Sequence, residues 1–102
     1  MFDEPRGQHL SSSAIVARKD GLIEAEIDGE IVVLSVEHGS CYALNRVGSR
    51  IWELLAGPVR VEDICATLLT EYKVNPDVCE RQVIDLLDDL HAEGLLTKLD
   101  AE

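Results

Sequence analysis

The dipeptide Asp28-Gly29 separates two short runs of residues with high β-propensity, Leu22 to Ile27 and Glu30 to Val36. Asp-Gly suits a two-residue type I′ turn, because both turn residues must tolerate a positive φ. A second turn signal, His38-Gly39, precedes a third run from Cys41 to Leu44. This spacing predicts an antiparallel meander of three strands.

The two turns also predict which side chains share a face of this sheet. If each turn has two residues, the expected cross-strand pairs are Ile23 with Leu34, Ala25 with Val32, Leu34 with Ala43, and Val36 with Cys41. We expect these side chains to form the core face. The opposite face carries further apolar side chains, at Ile31, Val33, Tyr42 and Leu44. We therefore expect part of that face to be covered as well.

After the third run, apolar residues recur with the 3.6-residue period of a helix. Asn45 is a suitable N-cap for a first helix that begins near Arg46, and Gly57-Pro58 ends it. A second helix is predicted from about Glu62 to Tyr72, and a third from Pro76 to Glu93. The predicted fold is α+β, a three-stranded antiparallel meander followed by three helices, similar to a winged helix-turn-helix.

The chain length and local composition predict a single domain. Residues 1–13 include Pro5, Gly7 and three consecutive serines but few apolar side chains, so we expect a disordered N-terminal tail. Residues 14–99 then form the folded domain, and residues 100–102 are expected to fray. A chain of 102 residues is too short for two ordinary domains.

The charge balance limits the classes of partner. Nine Lys and Arg against twenty Asp and Glu give a formal net charge of -11. Nucleic acids and anionic lipids are bound through basic surfaces, so we expect neither as a partner. The chain has neither a long apolar stretch nor the features of a signal peptide, which predicts a cytoplasmic protein without a membrane span.

The residues that usually carry catalysis or bind metals show no motif here. Cys41, Cys65 and Cys79 lack the Cys-x-x-Cys spacing of a metal or redox site, and each is predicted to be a small buried hydrophobe. The three histidines lack partners at motif spacings, and no glycine-rich phosphate loop is present. We therefore expect no catalytic residues, no metal and no cofactor.

Binding is better supported, because the third strand, Cys41 to Leu44, is predicted to lie at an open edge of the sheet. Such an edge can accept an extended peptide as an added strand, or a helix or loop can cover it. The third helix has a mixed polar stripe that is either the wall of a groove or an ordinary solvated face. Its members are Val78, Arg81, Gln82, Asp85 and Asp89.

A longer pattern in the chain resembles a known family. It comprises a glycine turn, a strand that ends in Leu44-Asn45, then Gly48 and Ile51-Trp52, and further on Arg81-Gln82-Val83 with the leucines after it. This pattern is similar to that of the PqqD family, named for pyrroloquinoline quinone synthesis protein D. Members are recognition elements of pathways that make and modify ribosomal peptides, including the small stand-alone proteins of lasso peptide clusters. The resemblance covers about Leu22 to Leu96.

The resemblance implies a non-catalytic protein that binds the leader segment of a precursor peptide as a strand added to the third strand, against the third helix. It also implies a second partner, a peptide-modifying enzyme such as a protease, a cyclase or a radical SAM enzyme. By resemblance the binding residues are the backbone of Cys41, Tyr42, Ala43 and Leu44 and the side chains of Val78, Arg81, Gln82, Asp85 and Asp89. Gln82 departs from the family pattern, in which many relatives carry an acid before the valine.

Two alternatives share the predicted fold. A winged-helix DNA-binding regulator would read DNA with its third helix, but six acids in Pro76 to Glu93 oppose only Arg81 and His91. A dimerisation module would use the same open edge or the mixed sheet face. We expect the protein itself to be a monomer or a weak homodimer.

Overall fold

The computed structural model describes residues 10–99. Three helices pack against two antiparallel sheets of three strands each, which confirms the predicted α+β fold. The elements in chain order are β1 (Ile15–Arg18), β2 (Ile23–Ile27), β3 (Glu30–Ser35), β4 (Ser40–Ala43), α1 (Arg46–Leu54), β5 (Val59–Arg60), α2 (Val61–Glu71), α3 (Pro76–Ala92) and β6 (Leu96–Lys98).

The sequence analysis missed the smaller sheet, in which β1 lies between β5 and β6. Val16 of β1 pairs with Val59 of β5 and with Lys98 of β6. These strands have only two to four residues, too few to show an alternating pattern, and no hairpin turn joins them. The sheet brings β1 and β6, near the two ends of the described chain, side by side.

The first hairpin of the meander forms as predicted, and the second does not. Asp28 and Gly29 adopt φ values of 54° and 83°, and Ile23 pairs with Leu34. Leu34 also pairs with Cys41, so its predicted pairing with Ala43 was wrong. The second turn has four residues, 36–39, instead of two. The unpaired Val36 therefore does not face Cys41.

The predicted core face of the meander was also wrong. Ile31 and Val33 are buried, at 6% and 0% exposure, whereas Ile23 is 53% exposed on the opposite face. Alternation shows which side chains share a face but not which face meets the helices. Ser49 of α1 decides this, because its Oγ accepts a hydrogen bond from the Ile31 N–H at 2.8 Å and donates to the Leu44 carbonyl at 3.3 Å.

The packed domain begins before residue 14. Leu10 is buried, and its N–H donates to Asp88 Oδ1 on α3 at 3.2 Å. The Glu62 N–H donates to the Ser12 carbonyl at 2.9 Å, which caps the start of α2. Residues 10–13, which the sequence assigned to the tail, therefore pack against the domain. Residues 1–9 and 100–102, with the rest of the predicted tail and the frayed C-terminus, lie outside the described residues.

Trp52 lies fully buried at the centre of the core, among Leu55, Leu87 and Leu90. The Arg18 guanidinium lies 5.0 Å from the centroid of its ring and donates from Nε to the Trp52 carbonyl at 3.0 Å. This contact joins the smaller sheet to α1. No helix within residues 10–99 is long and apolar enough to cross a membrane.

The three cysteines fall into two environments. Cys65 and Cys79 are buried as predicted, but Cys41 is exposed, because it lies on the face of the meander that the helices leave uncovered. Burial and the neighbouring Cys79 raise the pKa of the Cys65 thiol to about 11, so this thiol stays protonated at neutral pH. Within residues 10–99, no three His, Cys, Asp or Glu side chains are grouped to hold a metal ion.

Candidate functional site

An open cavity of about 500 Å³ lies beside β4, between α1, the end of α2 and the first half of α3. Its lining is mainly apolar. The lining residues are Tyr42, Ala43, Leu44, Asn45, Val47, Gly48, Ile51, Leu68, Tyr72, Val74, Cys79, Gln82, Val83 and Leu86. The cavity and the outer edge of β4 together form one groove, which we call the β4–α3 groove.

Within residues 10–99, no strand pairs with the outer edge of β4. β4 is an edge strand of the sheet, and the Leu44 N–H donates to the Ile31 carbonyl at 2.8 Å. Backbone groups of successive residues in an antiparallel strand point to opposite sides. Leu44 and Tyr42 therefore bond to β3, and the N–H and C=O groups of Cys41 and Ala43 point away from the sheet.

This alternation divides the four residues predicted to pair with a peptide backbone. Cys41 and Ala43 offer backbone donors and acceptors on the outer edge, whereas Tyr42 and Leu44 contribute side chains to the cavity lining. The other free edge of the meander is β2, where Glu24 and Glu26 occupy the corresponding outward positions. Charged residues of this kind discourage strand addition, and β4 has none.

Three contacts between the meander and the end of α3 close one end of the groove. The Ser40 Oγ donates to the Glu93 carbonyl at 3.1 Å, and the Tyr42 hydroxyl donates to Asp89 Oδ2 at 3.4 Å. The His38 ring lies against Gly94, where a Cβ atom would come within 2.8 Å of it. Among the described residues, these contacts close the groove at the end of α3, and the cavity lies towards the start of α1.

The α3 wall differs from the predicted stripe. Of the five predicted residues only Gln82 lines the cavity, next to Cys79, Val83 and Leu86. Val78, Asp85 and Asp89 lie three to seven residues from Gln82, on the neighbouring exposed strip of the helix that forms the rim of the groove. Arg81 is exposed and lies farther round the helix.

Sequence reasoning missed several lining residues because it assigned them to the core. Val47, Ile51, Leu68 and Tyr72 belong to the apolar stripes of α1 and α2, and those stripes look the same whether they face a core or a groove. Val47 and Tyr72 are 42% and 40% exposed. One residue lies at the start of a helix and the other at the end of a helix, both close to an open strand. This position in the sequence is the signal that could have identified them as lining residues.

An ion pair joins α1 to the end of α2, next to the cavity-lining residues Ile51 and Tyr72. Arg50 of α1 donates from Nη2 and Nε to the carboxylate of Glu71, with N–O distances of 2.7 and 3.0 Å. The Arg50 hydrogen bond lowers the pKa of the Glu71 carboxyl. This bidentate contact fixes the end of α2 and thereby the position of Tyr72.

The closed end of the groove is acidic. Burial raises the pKa of the Tyr42 phenol, and the charge of Asp89, its hydrogen bond with Tyr42, and the charge of Glu93 raise it further. Because the folded-state pKa is raised, the neutral phenol stabilises the fold at every pH below the ordinary value of 10.0. That contribution is lost as the pH rises through the folded-state pKa.

We expect Asp89→Asn to lower the pKa of Tyr42, because it removes a neighbouring negative charge while the burial remains. The measurement is an alkaline absorbance titration in a Tyr72→Phe background, in which Tyr42 is the sole tyrosine. Before the Asp89 substitution, the midpoint should lie above 10.0. Asp85→Asn is the matched control and should leave the midpoint in place. Equal midpoints with and without Asp89→Asn would show that Asp89 does not act on Tyr42.

Comparison with known proteins identifies the family. Residues 30–96 match the sequence model described as coenzyme PQQ synthesis protein D (PqqD). The chain belongs to the PqqD family. This confirms the resemblance predicted from the Leu44-Asn45 and Ile51-Trp52 pattern. No curated protein sequence matches this PqqD-family chain.

Solved structures with the same fold include two leader complexes. TbiB1 in complex with the TbiA(beta) leader peptide is 35% identical, with a TM-score of 0.72, and the match covers 84% of this chain and 99% of that one. A lasso peptide synthetase B1 complexed with the leader peptide is 22% identical, with a TM-score of 0.65 and coverage of 80% and 96%.

A third match is the PqqD truncation of Methylobacterium extorquens PqqCD, described as a functional and stand-alone recognition element for ribosomally synthesised and post-translationally modified peptides. It is 20% identical, with a TM-score of 0.71 and coverage of 85% and 93%. At this identity and at that of the synthetase B1, the likeness shows the shared fold.

Proposed function

We propose that this PqqD-family protein is a non-catalytic recognition element that binds the leader of a ribosomally synthesised precursor peptide and presents it to a modifying or processing enzyme. The observation that carries the proposal is the pair of outward backbone groups at Cys41 and Ala43, which lie directly beside an apolar cavity. The complex of the 35% identical TbiB1 with a leader peptide supports it.

The leader adds to β4 as a fourth strand of the meander. The N–H and C=O groups of Cys41 and Ala43 provide up to four backbone hydrogen bonds to it. At about 0.5–1.5 kcal/mol each, these bonds contribute roughly 2–6 kcal/mol. Ordering a disordered peptide costs about 2–5 kcal/mol or more, so the strand alone gives little net affinity.

Apolar side chains of the leader supply the remaining affinity. Micromolar to nanomolar binding requires about −8 to −12 kcal/mol, and each fully buried Leu or Phe side chain contributes about 1.5–3 kcal/mol. The cavity of about 500 Å³ is large enough for more than one such side chain. We therefore expect aromatic or aliphatic anchor residues in the leader, seated between Tyr72, Val47 and Leu86.

The rim of the groove sets the charge preference. Asp85 and Asp89 are exposed beside Gln82, and Arg81 is the one basic residue of the predicted stripe. Because opposite charges accelerate encounter, basic leader residues next to the anchors should raise the association rate, and added salt should lower it. Gln82 itself offers an uncharged amide to the leader.

Binding assists the enzyme without any chemistry in this protein. A leader held on a protein that also docks to the enzyme raises the local concentration of the attached core peptide at the active site. The protein thus needs two separate surfaces, one for the leader and one for the enzyme.

The proposed site is tested by titrating ¹⁵N-labelled protein with the leader of the precursor peptide encoded nearest to its gene. We expect the largest amide shift changes at Cys41 and Ala43 and along the cavity wall, at Gln82 and Leu86. A scrambled leader of the same composition is the control and should leave the chemical shifts of these amides unchanged. Shift changes confined to the smaller sheet, or none at all, would contradict the proposal.

A further inference from the structure

Two buried cysteines lie side by side between α2 and α3. Cys65 is 9% exposed and Cys79 is 4% exposed, and both thiols are free. They belong to different helices, so no spacing motif in the sequence connects them. In the folded protein the Cys79 side chain is a hydrogen-bond partner of the Cys65 thiol. The two sulfur atoms are therefore neighbours, and we call the two residues the thiol pair.

The two members of the thiol pair differ in their access to the leader groove. Cys79 lines the cavity, on the same side of α3 as Gln82 and Leu86. Among the residues that the structure describes, Leu68, one turn further along α2, also lines the cavity, whereas Cys65 does not. A small molecule in the cavity therefore meets Cys79, and Cys65 lies behind it.

Cys79 is also the thiol that reacts first. The attacking form of a cysteine is the thiolate, and burial and the neighbouring Cys79 raise the pKa of the Cys65 thiol to about 11. Cys65 therefore acts second, on a disulfide already formed at its neighbour, where contact between two groups replaces a collision. The open cavity of about 500 Å³ has room for the small thiol that is attached to Cys79 between the two steps.

We propose that Cys65 and Cys79 form a reversible disulfide in the wall of the leader groove, by exchange with low-molecular-weight disulfides that enter through the cavity. In the first step the Cys79 thiolate attacks one sulfur of the small disulfide, which gives a mixed disulfide at Cys79 and releases one small thiol. In the second step the Cys65 thiol attacks the Cys79 sulfur, and the second small thiol leaves. The protein loses two protons and two electrons, and the small disulfide gains them as two thiols.

The new bond changes the shape of the cavity. A disulfide holds its two sulfur atoms about 2.05 Å apart, much closer than two thiols in contact, so α2 and α3 must move towards each other. Tyr72 and Val74 lie in the chain between the two cysteines, and both line the cavity. The oxidised protein therefore has a narrower groove and holds the leader less tightly. This consequence for the leader rests on the proposed function.

Leader binding protects the thiol pair in return. A leader anchor in the cavity covers Cys79, which slows the first step of the exchange. The bound leader also favours the wider, reduced form at equilibrium. If oxidation weakens leader binding by a given factor, saturating leader must lower the equilibrium constant for oxidation by the same factor. The leader-bound protein is thus kept reduced.

The test follows both thiols in buffers of reduced and oxidised glutathione. All proteins carry Cys41→Ser, which removes the exposed thiol and with it disulfides between two copies of the chain. Mass spectrometry after alkylation reports the redox state of each cysteine. We expect Cys65 and Cys79 to be oxidised together, with a cross-linked peptide that contains both residues. Dithiothreitol should reverse the change.

Two single variants distinguish the first step from the second. In Cys65→Ala the reaction stops after the first step, so Cys79 should keep one bound glutathione. Cys79→Ala retains the thiol with the raised pKa, and it should take up glutathione roughly tenfold more slowly. Equal uptake by the two variants would overturn the proposed route through the cavity. The cross-link itself is measured on the protein with both cysteines, so it does not depend on the folding of either variant.

Calorimetry then compares leader binding to the reduced and to the cross-linked protein. We expect cross-linking to weaken the affinity about fivefold or more, and saturating leader to lower the equilibrium constant for oxidation by the same factor. The control is Cys65→Ala/Cys79→Ala, which has no thiol pair. Its leader affinity should be the same in reduced and in oxidised glutathione.

The outcomes distinguish this proposal from the leader site itself. If the leader does not bind the reduced protein while the cross-link forms, the proposed function is wrong and the thiol pair stands. The proposal of a thiol pair is overturned if Cys65 and Cys79 stay reduced in oxidised glutathione alone. It is equally overturned if the cross-link forms and leader affinity stays the same.

Discussion

Ala43→Pro should abolish leader binding at micromolar concentrations while the protein remains folded. Proline removes the N–H that donates to the leader and leaves a leader carbonyl unpaired, and its ring occupies the space of the added strand. A lost hydrogen bond that leaves its buried partner unsatisfied costs about 1–3 kcal/mol, which corresponds to a loss of affinity of roughly fivefold to 150-fold, and the clash of the ring with the added strand adds to this loss. Isothermal titration calorimetry with the leader measures it.

The fold should survive because the Ala43 N–H points away from β3 and an edge strand accepts proline at an outward position. The control is Glu26→Pro, which places a proline at the outward position of the other free edge, on β2. Glu26→Pro should bind the leader within twofold of the wild type, and both variants should keep the wild-type circular dichroism spectrum. Normal leader affinity in Ala43→Pro would show that β4 is not the binding edge.

The two hairpins show where turn chemistry determines register and where it does not. Asp28 and Gly29 both adopt positive φ, so the turn has two residues and the pairing follows from counting. In the second turn Gly39 also has a positive φ, but the His38 N–H donates to the Ser35 Oγ and the turn takes four residues. A single glycine does not determine the length of a turn, so the register of β4 could not be derived from it.

The core face could not be derived because both faces of the meander are apolar. One face packs beneath α1 through Ile31 and Val33, and the other carries Ile23 and Leu34 into solvent. If the solvent-exposed face had carried polar side chains, alternation would have identified the core face. The wrong prediction therefore has a physical reason: the solvent-exposed face of the meander carries apolar side chains, as the buried face does.

The edge strand of the candidate site could be predicted from the sequence, but the residues that line the walls of the groove could not. An open strand after two hairpins follows from turn spacing, and β4 occupies that position. Which of its residues face outward depends on the register, which in the described part of the chain turns the backbone groups of Cys41 and Ala43 to the outer edge. The cavity brings together residues from β4 to α3, and such contacts between distant segments leave no periodic signal in the sequence.

Val47→Asp should weaken leader binding roughly ten- to a hundredfold. Val47 lies at the mouth of the cavity and is 42% exposed, so the substitution places a carboxylate where a leader anchor must seat. The carboxylate keeps its hydration, and the anchor loses burial worth about 1.5–3 kcal/mol. The fold should tolerate the change, because α1 has no acid in its first turn and a negative charge there favours the helix.

Two further variants distinguish the local effect of Val47→Asp from an effect of the net charge and from an effect of the side-chain shape. Ala66→Asp adds the same charge at an exposed position of α2 that does not line the cavity, and it should change leader affinity less than twofold. Val47→Thr keeps the shape and adds only a hydroxyl, so its effect should fall between those of the wild type and Val47→Asp. Calorimetric titration of the three variants ranks them. If Ala66→Asp weakens binding as much as Val47→Asp does, overall charge controls the affinity and the cavity holds no anchor.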